Sequence, residues 1–229
     1  MAFSSGAHVI ERLHDRYQAG QLLAEKLSGF AKHPDTIVLG LPRGGAEVAC
    51  GLAARLGLPV DVFLVRKLGV PGYEELAMGA VAMGGIEIIN PDVVEEFRLS
   101  PREIEEVVAA EKQELQRRER VFRGSRPPLD LRGRTVILVD DGIATGSTIR
   151  AAIDGVRKLG AARVILAAGV APLATYLSLH SEADDVVCLL TPREFRAVGL
   201  LYEQFPQLID QDVCKFLSDA RKAGAQSAA

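Results

Sequence analysis

Apolar and polar positions along the chain fall into short runs that alternate between helical and extended periods. Asp15–Phe30 sets Tyr17, Leu22, Leu23, Ala24 and Leu27 on one side of a helix and reads as amphipathic. Ile37–Leu41 is a short apolar strand that runs directly into Pro42-Arg43-Gly44-Gly45. A helix is expected over Ala46–Leu56, stopped by Gly57, and a second strand over Val60–Val65. Leu68–Gly85 breaks the pattern, with Pro71 and glycines at 69, 72, 79, 84 and 85. Such backbone rearranges cheaply and is costly to order. Within it, Gly84-Gly85 separates the apolar runs Ala80–Met83 and Ile86–Ile89, which is a hairpin signal.

Ser100-Pro101-Arg102-Glu103 opens a long helix. Ser100 can cap it, Pro101 suits its first turn, and Glu103 completes a capping box. The helix is expected to run to about Phe122, with its charge-rich face solvated, and Arg126-Pro127-Pro128 ends it. Thr135–Val139 is a strand that finishes in Asp140-Asp141. A helix over Thr148–Leu159 is closed by Gly160, Val164–Ala168 is a strand, Pro172 starts a further helix, and Val186–Leu190 is the last strand. Strands alternating with helices predict an α/β fold with a mostly parallel twisted sheet flanked by helices. The small, polar tail Ala220–Ala229 is expected to be disordered, and the chain has no internal repeat.

Composition narrows the picture little further. The 229 residues suit one domain, and a net charge of −3 gives no basic excess of the kind that nucleic acid selects. Cys50, Cys188 and Cys214 are far apart and odd in number, so neither a disulfide framework nor a zinc site is expected, and each reads as a small buried hydrophobe. The N-terminus lacks an apolar signal core, and the longest apolar run, Val164–Ala171, is too short to span a bilayer. A cytoplasmic protein that binds neither nucleic acid nor membrane is expected.

The chemistry concentrates in Val136–Thr148: a strand, two acids, and a loop with Gly142, Ala144, Thr145, Gly146, Ser147 and Thr148 that opens a helix. Ligands of open α/β sheets bind at the carboxyl ends of strands. The helix start offers unpaired N–H groups and a positive dipole end, which suit a phosphate, with the three hydroxyls as added donors. Adjacent carboxylates repel each other and need a counterpart, which a sugar diol or Mg²⁺ supplies. A ribose 5-phosphate satisfies both halves. The spacing fits neither a Walker A loop nor GxGxxG. A solvated turn with Ser and Thr as helix caps explains the hydroxyls but not the paired acids.

The run Val136–Ile153 resembles the phosphoribosyl-pyrophosphate motif of the type I phosphoribosyltransferases. Leu41-Pro42-Arg43-Gly44-Gly45 resembles that family's pyrophosphate loop, and Val65-Arg66-Lys67 the basic pair before its mobile catalytic loop. Order and spacing agree over about Thr36–Leu190. The resemblance implies one phosphoribosyltransferase domain over 1–229. Its core would cover about 31–190, its hood 1–30 and 191–218, and its lid would be a flexible β-hairpin within Leu68–Gly85. It implies that Asp140 and Asp141 hold the ribose hydroxyls and meet Mg²⁺ only through water or ligand. Gly142 belongs to the same substrate-binding run, and Ala144–Thr148 would hold the 5′-phosphate. Arg43, Gly44, Gly45, Arg66 and Lys67 would serve the pyrophosphate, bridged by Mg²⁺. Lys67, Glu74 and Glu75 are the catalytic candidates.

The implied activity is transfer of a phosphoribosyl group from 5-phosphoribosyl-1-pyrophosphate to a nitrogenous base, as in nucleotide salvage. The alternative is a non-catalytic regulator that senses the same donor. A homodimer is compatible with either. Members acting on 6-oxopurines usually carry an acid where this chain has Ala144. That alanine and Val65-Arg66-Lys67 resemble the adenine enzymes, but the Leu68–Gly85 segment and the capped helix do not, and the chain looks closer to a bacterial branch of the family. Phe195, Tyr202 and Phe205 in the expected hood are available to stack on a flat base, although ordinary packing is expected for at least two of them.

Overall fold

The computed structural model describes residues 11–227. Helix α1 (Arg16–Lys26) leads to β1 (Thr36–Gly40), α2 (Gly44–Leu56) and β2 (Val60–Val62). Then come β3 (Val65–Val70), β4 (Tyr73–Ala82), β5 (Ile86–Ile89), the short α3 (Pro91–Glu96) and the long α4 (Pro101–Arg123). The alternation resumes with β6 (Thr135–Gly142), α5 (Ser147–Lys158), β7 (Arg163–Val170), α6 (Leu173–Leu179) and β8 (Asp185–Leu190). Helix α7 (Asp210–Ser227) follows.

Five parallel strands in the order β2-β1-β6-β7-β8 form the central sheet, as the alternating pattern predicts. Its middle strands are almost continuously apolar because helices cover both faces. On one face Val38, Ile137, Val139, Ile165 and Ala167 pack against α1 and α2. On the other, Ile37, Leu39, Val136, Leu138 and Leu166 meet Ile149, Ile153 and Val156 of α5, and the core continues into the hairpin and α4 through Phe63, Met78, Val81 and Leu115.

Several expectations need correction. The buried side of α1 is Arg16, Ala19, Gly20, Leu23 and Ala24, while Tyr17 is 53% exposed. Small residues serve there because α1 and α2 cross closely: a Cβ on Gly20 would lie 2.3 Å from the Val48 carbonyl oxygen. The second strand ends at Val62, since buried Phe63 packs against Gly155 of α5 and the chain leaves the sheet. Arg66 and Lys67 therefore sit on a separate antiparallel sheet, β3-β4-β5, and not at the end of a parallel strand. Leu68–Gly85 is strand for most of its length, with Leu68, Met78 and Val81 buried. The Gly84-Gly85 turn is present, with both residues in the left-handed region at φ 80° and 76°.

The capping box of α4 forms as read: Ser100 Oγ accepts from the Glu103 N–H, and the Glu103 carboxylate accepts from the Ser100 N–H. The charged face of the helix is mostly solvated, as expected, apart from the buried Arg123, while Val108, Leu115 and Phe122 face the core. From Ala220 the expected disordered tail is helical to Ser227. Val213 and Leu217, one turn apart, anchor α7 in the core. The first ten residues of the expected hood lie outside the described residues. Among the described residues no helix is long and apolar enough to cross a membrane.

Candidate active site

Strands β1 and β6 run in register, Gly40 beside Val139, so Pro42–Gly45 and the acidic loop emerge together at one end of the sheet. The Pro42–Arg43 peptide is cis. Gly44 and Gly45 form the first turn of α2 and touch the acids' strand. A Cβ on Gly44 would lie 1.8 Å from the Asp141 carboxylate, and one on Gly45 2.5 Å from the Val139 carbonyl oxygen. Close approach of two strand ends therefore demands both glycines, independently of any anion.

The two acids differ in their surroundings. Asp141 accepts a 2.7 Å hydrogen bond from Arg16 Nε, and that guanidinium also donates to the Pro206 carbonyl at 2.9 Å. Arg16 lies 3.7 Å above the centre of the Phe205 ring, and the Tyr202 hydroxyl donates to the Asp141 carbonyl at 2.6 Å. The ion pair is largely buried, with the Arg16 and Asp141 side chains 6% and 15% exposed. Among the described residues, Asp140 has no cation in contact and accepts from the Asp141 N–H, at 2.9 Å. Burial, reinforced by the charge of Asp141, raises its pKa well above the ordinary carboxylate value.

Beyond the acids, Gly146 at φ 84° turns the chain into α5, whose start has no side-chain cap. The loop is held from behind: Thr175 Oγ1 donates to the Ala144 carbonyl at 3.0 Å, and Arg150 donates to the Thr145 carbonyl at 2.8 Å and to Glu182 at 2.8 Å. Thr145, Ser147 and Thr148 are placed around the helix start, with the Thr145 and Ser147 hydroxyls 3.2 Å apart. Uncapped N–H groups and converging hydroxyls form a donor-lined hollow suited to an oxyanion.

The hairpin brings its basic pair to the same region. Arg66 lines a narrow crevice with Leu41, Pro42, Arg118 and Thr148, and Lys67 lines an adjoining cleft of about 250 Å³ with Ser147 and Thr148. Arg66 is paired with Glu111 of α4 at 2.6 Å. Lys67 Nζ donates to the Glu75 carbonyl at 3.1 Å and lies 3.4 Å from its carboxylate, so Glu75 faces Lys67 from the opposite strand. Glu74 borders a separate groove with Arg66, Lys67 and Arg118. Arg43 is not among the residues that line these clefts. Its guanidinium donates to the Leu208 carbonyl and lies 3.5 Å from Asp210 of α7.

Three nearby residues escape a reading of the sequence. Arg16 is hidden in a helix whose pattern shows only its apolar side. Arg118 belongs to a helix face that reads as solvated. Glu47 in the first turn of α2 is half-buried and makes no hydrogen bond or ion pair among the described residues, and desolvation raises its pKa. No motif marks any of the three. Of the expected stacking residues, Tyr202 is buried and Phe205 is covered by Arg16, while Phe195 packs at the edge of the α1–α2 core. Burial pushes the thiols of Cys50 and Cys188 up to about 12, which keeps them protonated.

A parallel sheet with an acid pair and a glycine- and hydroxyl-rich loop at its carboxyl end, flanked by a basic hairpin, defines a phosphoribosyltransferase-type α/β protein. The chain belongs to the phosphoribosyl transferase domain family, whose model matches residues 9–203. It is 43% identical over 215 residues to a Mycobacterium tuberculosis protein named "Putative phosphoribosyl transferase Rv0571c", covering 94% of this chain and 48% of that protein. The chain thus spans about half the length of the curated relatives it matches. The crystal structure of TT1426 from Thermus thermophilus superposes with a TM-score of 0.79 at 41% identity, covering 91% of this chain and 98% of that one. A Deinococcus radiodurans protein named "Bifunctional protein PyrR" is 34% identical over 96 residues, 42% of this chain and 46% of that protein.

Proposed function

We propose that the chain binds 5-phosphoribosyl-1-pyrophosphate with Mg²⁺ and transfers the phosphoribosyl group to a nitrogenous base, releasing pyrophosphate. One observation carries the reading. Segments distant in sequence converge at one end of the sheet, with Pro42, Arg66 and Thr148 on one crevice and Lys67, Ser147 and Thr148 on the next. In the proposed complex the hydroxyls and amides of Thr145–Thr148 hold the 5′-phosphate, and Asp140 and Asp141 accept hydrogen bonds from the ribose diol.

As the anomeric bond breaks, negative charge grows on the departing pyrophosphate, where Lys67 and the Gly44-Gly45 amides would stabilise it. Arg43 joins them by exchanging its contacts to Leu208 and Asp210 for the leaving group. The β3–β4 hairpin excludes competing water as a lid, and Glu74 and Glu75 at its tip orient substrate or take a proton. Among the described residues no cluster of three His, Cys, Asp or Glu side chains encloses a metal ion. The donor set still suits Mg²⁺, which keeps several waters and binds through one or two carboxylates plus ligand phosphates. When bound, the ion would neutralise pyrophosphate charge. Ala144 offers no proton donor or acceptor, which disfavours 6-oxopurine acceptors.

The test is a panel of purine and pyrimidine bases incubated with donor and Mg²⁺, with pyrophosphate release as the readout. Turnover on one or more bases is expected. Donor binding without turnover on any base would instead support the second reading, a regulator that senses the donor. A partial match, over 40 residues, to Lactococcus lactis proteins named "Pyrimidine operon regulatory protein" favours keeping that reading.

A further inference from the structure

At the opposite end of the central sheet, where β2 begins, a cleft of about 730 Å³ opens between the α2–β2 turn and the last turns of α7. The charged residues lining it, Lys32, Arg55 and Arg221, are all cations. Arg55 has a partner, Glu25 at 3.2 Å. Among the described residues, the Arg221 Nε and Nη2 atoms are buried and make no hydrogen bond. The nearby carboxylate, Asp61, is already used. One oxygen accepts from Arg126 at 3.0 Å and the other from Arg123 at 3.2 Å, with Glu119 adding a second contact to Arg123. Arg126 feels the excess, its pKa lowered first by burial and further by the charges of Arg221 and Arg123.

Buried guanidinium N–H groups without acceptors are costly, because they have lost water and gained nothing in return. The planar fork of an arginine matches an oxyanion in two places at once. Two cations without a carboxylate partner among the described residues, Lys32 and Arg221, face this open cleft and together call for more than one negative charge, which a phosphate group carries and a single carboxylate does not.

We propose that this cleft is a phosphate-binding site, separate from the candidate active site, in which Arg221, turning its unpaired guanidinium to the occupant, supplies one cation and Lys32 the second. The occupant is a phosphate group, either free or as a monoester. The site lies at the amino end of β2, whereas Thr145–Thr148 follow the carboxyl end of β6, so the two stand at opposite ends of the sheet. The assignment does not depend on the transferase reading.

The test titrates the full chain with inorganic phosphate, and in parallel with glycerol 3-phosphate, at constant ionic strength. Thermal unfolding and phosphorus NMR line width are the readouts. Saturable stabilisation is expected in the wild type and in Thr145→Ala/Ser147→Ala, which alters only the candidate active-site loop. Arg221→Gln should weaken the response at least tenfold, by about 1.4 kcal/mol of binding free energy. Lys32→Gln, on the exposed surface, should weaken it too and serves if Arg221→Gln folds poorly. A stronger response to glycerol 3-phosphate assigns a monoester, and an equal or weaker one assigns the free anion. No response in the wild type would overturn the proposal. So would loss only in the loop variant, or wild-type behaviour in Arg221→Gln and Lys32→Gln.

Discussion

At the scale of single residues, the acid pair is asymmetric: one carboxylate is tied to a cation, and the other lies half-buried beside it without one among the described residues. The folded state opposes ionisation of Asp140, so its pKa is higher folded than unfolded. Its contribution to stability is then complete below the unfolded value near 3.8 and is lost as pH rises through the folded value. Asp140→Asn should therefore need more denaturant to unfold than the wild type at neutral pH, with the difference closing below about pH 3.8; equal midpoints at neutral pH would contradict the assignment. Arg16→Ala leaves the Asp141 carboxylate buried without its cation, which should cost about 3 kcal/mol in denaturant melts. Asp140→Asn combined with Asp141→Asn should abolish donor-induced thermal stabilisation while the protein stays folded. The acids and loop are legible in the sequence because their chemistry is local and contiguous. Arg16 is not, since its partner lies 125 positions along the chain and only the tertiary fold joins them.

At the scale of elements, legibility follows the strength of local signals. The capping box of α4 and the Gly84-Gly85 turn are set by a few adjacent residues and form as read. Ser100→Ala should cost about 1 kcal/mol of stability, measured by urea unfolding. The boundary between β2 and β3 escapes the pattern because Val60–Val65 is largely apolar, and the departure after Val62 is decided by where Phe63 finds room against Gly155. Helix α7 escapes it because its sequence is polar and small, and two buried residues one turn apart, Val213 and Leu217, suffice to anchor it. The hairpin carries its own prediction. Glu75→Gln loosens the cross-strand contact to Lys67, and under the proposed function it should lower kcat more than it raises the KM for the donor. Proportionate changes in both would remove Glu75 from the lid's chemistry.

At the scale of the whole molecule, the parallel sheet aligns the uncapped start of α5, the acids and the Gly44-Gly45 turn at one end. Segments remote in sequence close over them: α1 and the stretch around Tyr202–Pro206 meet through the Leu13–Tyr202 bridge and the contacts of Arg16. One of these contacts has a kinetic consequence. Arg16 holds the very carboxylate that a ribose diol would claim, and the same guanidinium is fastened to Pro206 and Phe205 in the roof. A donor settling on Asp141 must share or displace that grip, and the roof over the acceptor position moves with it. Under the proposed function, the acceptor pocket would thus be completed by the donor. Substrates should enter in a compulsory order, donor first, visible as inhibition by the nucleotide product that is competitive against donor and noncompetitive against base.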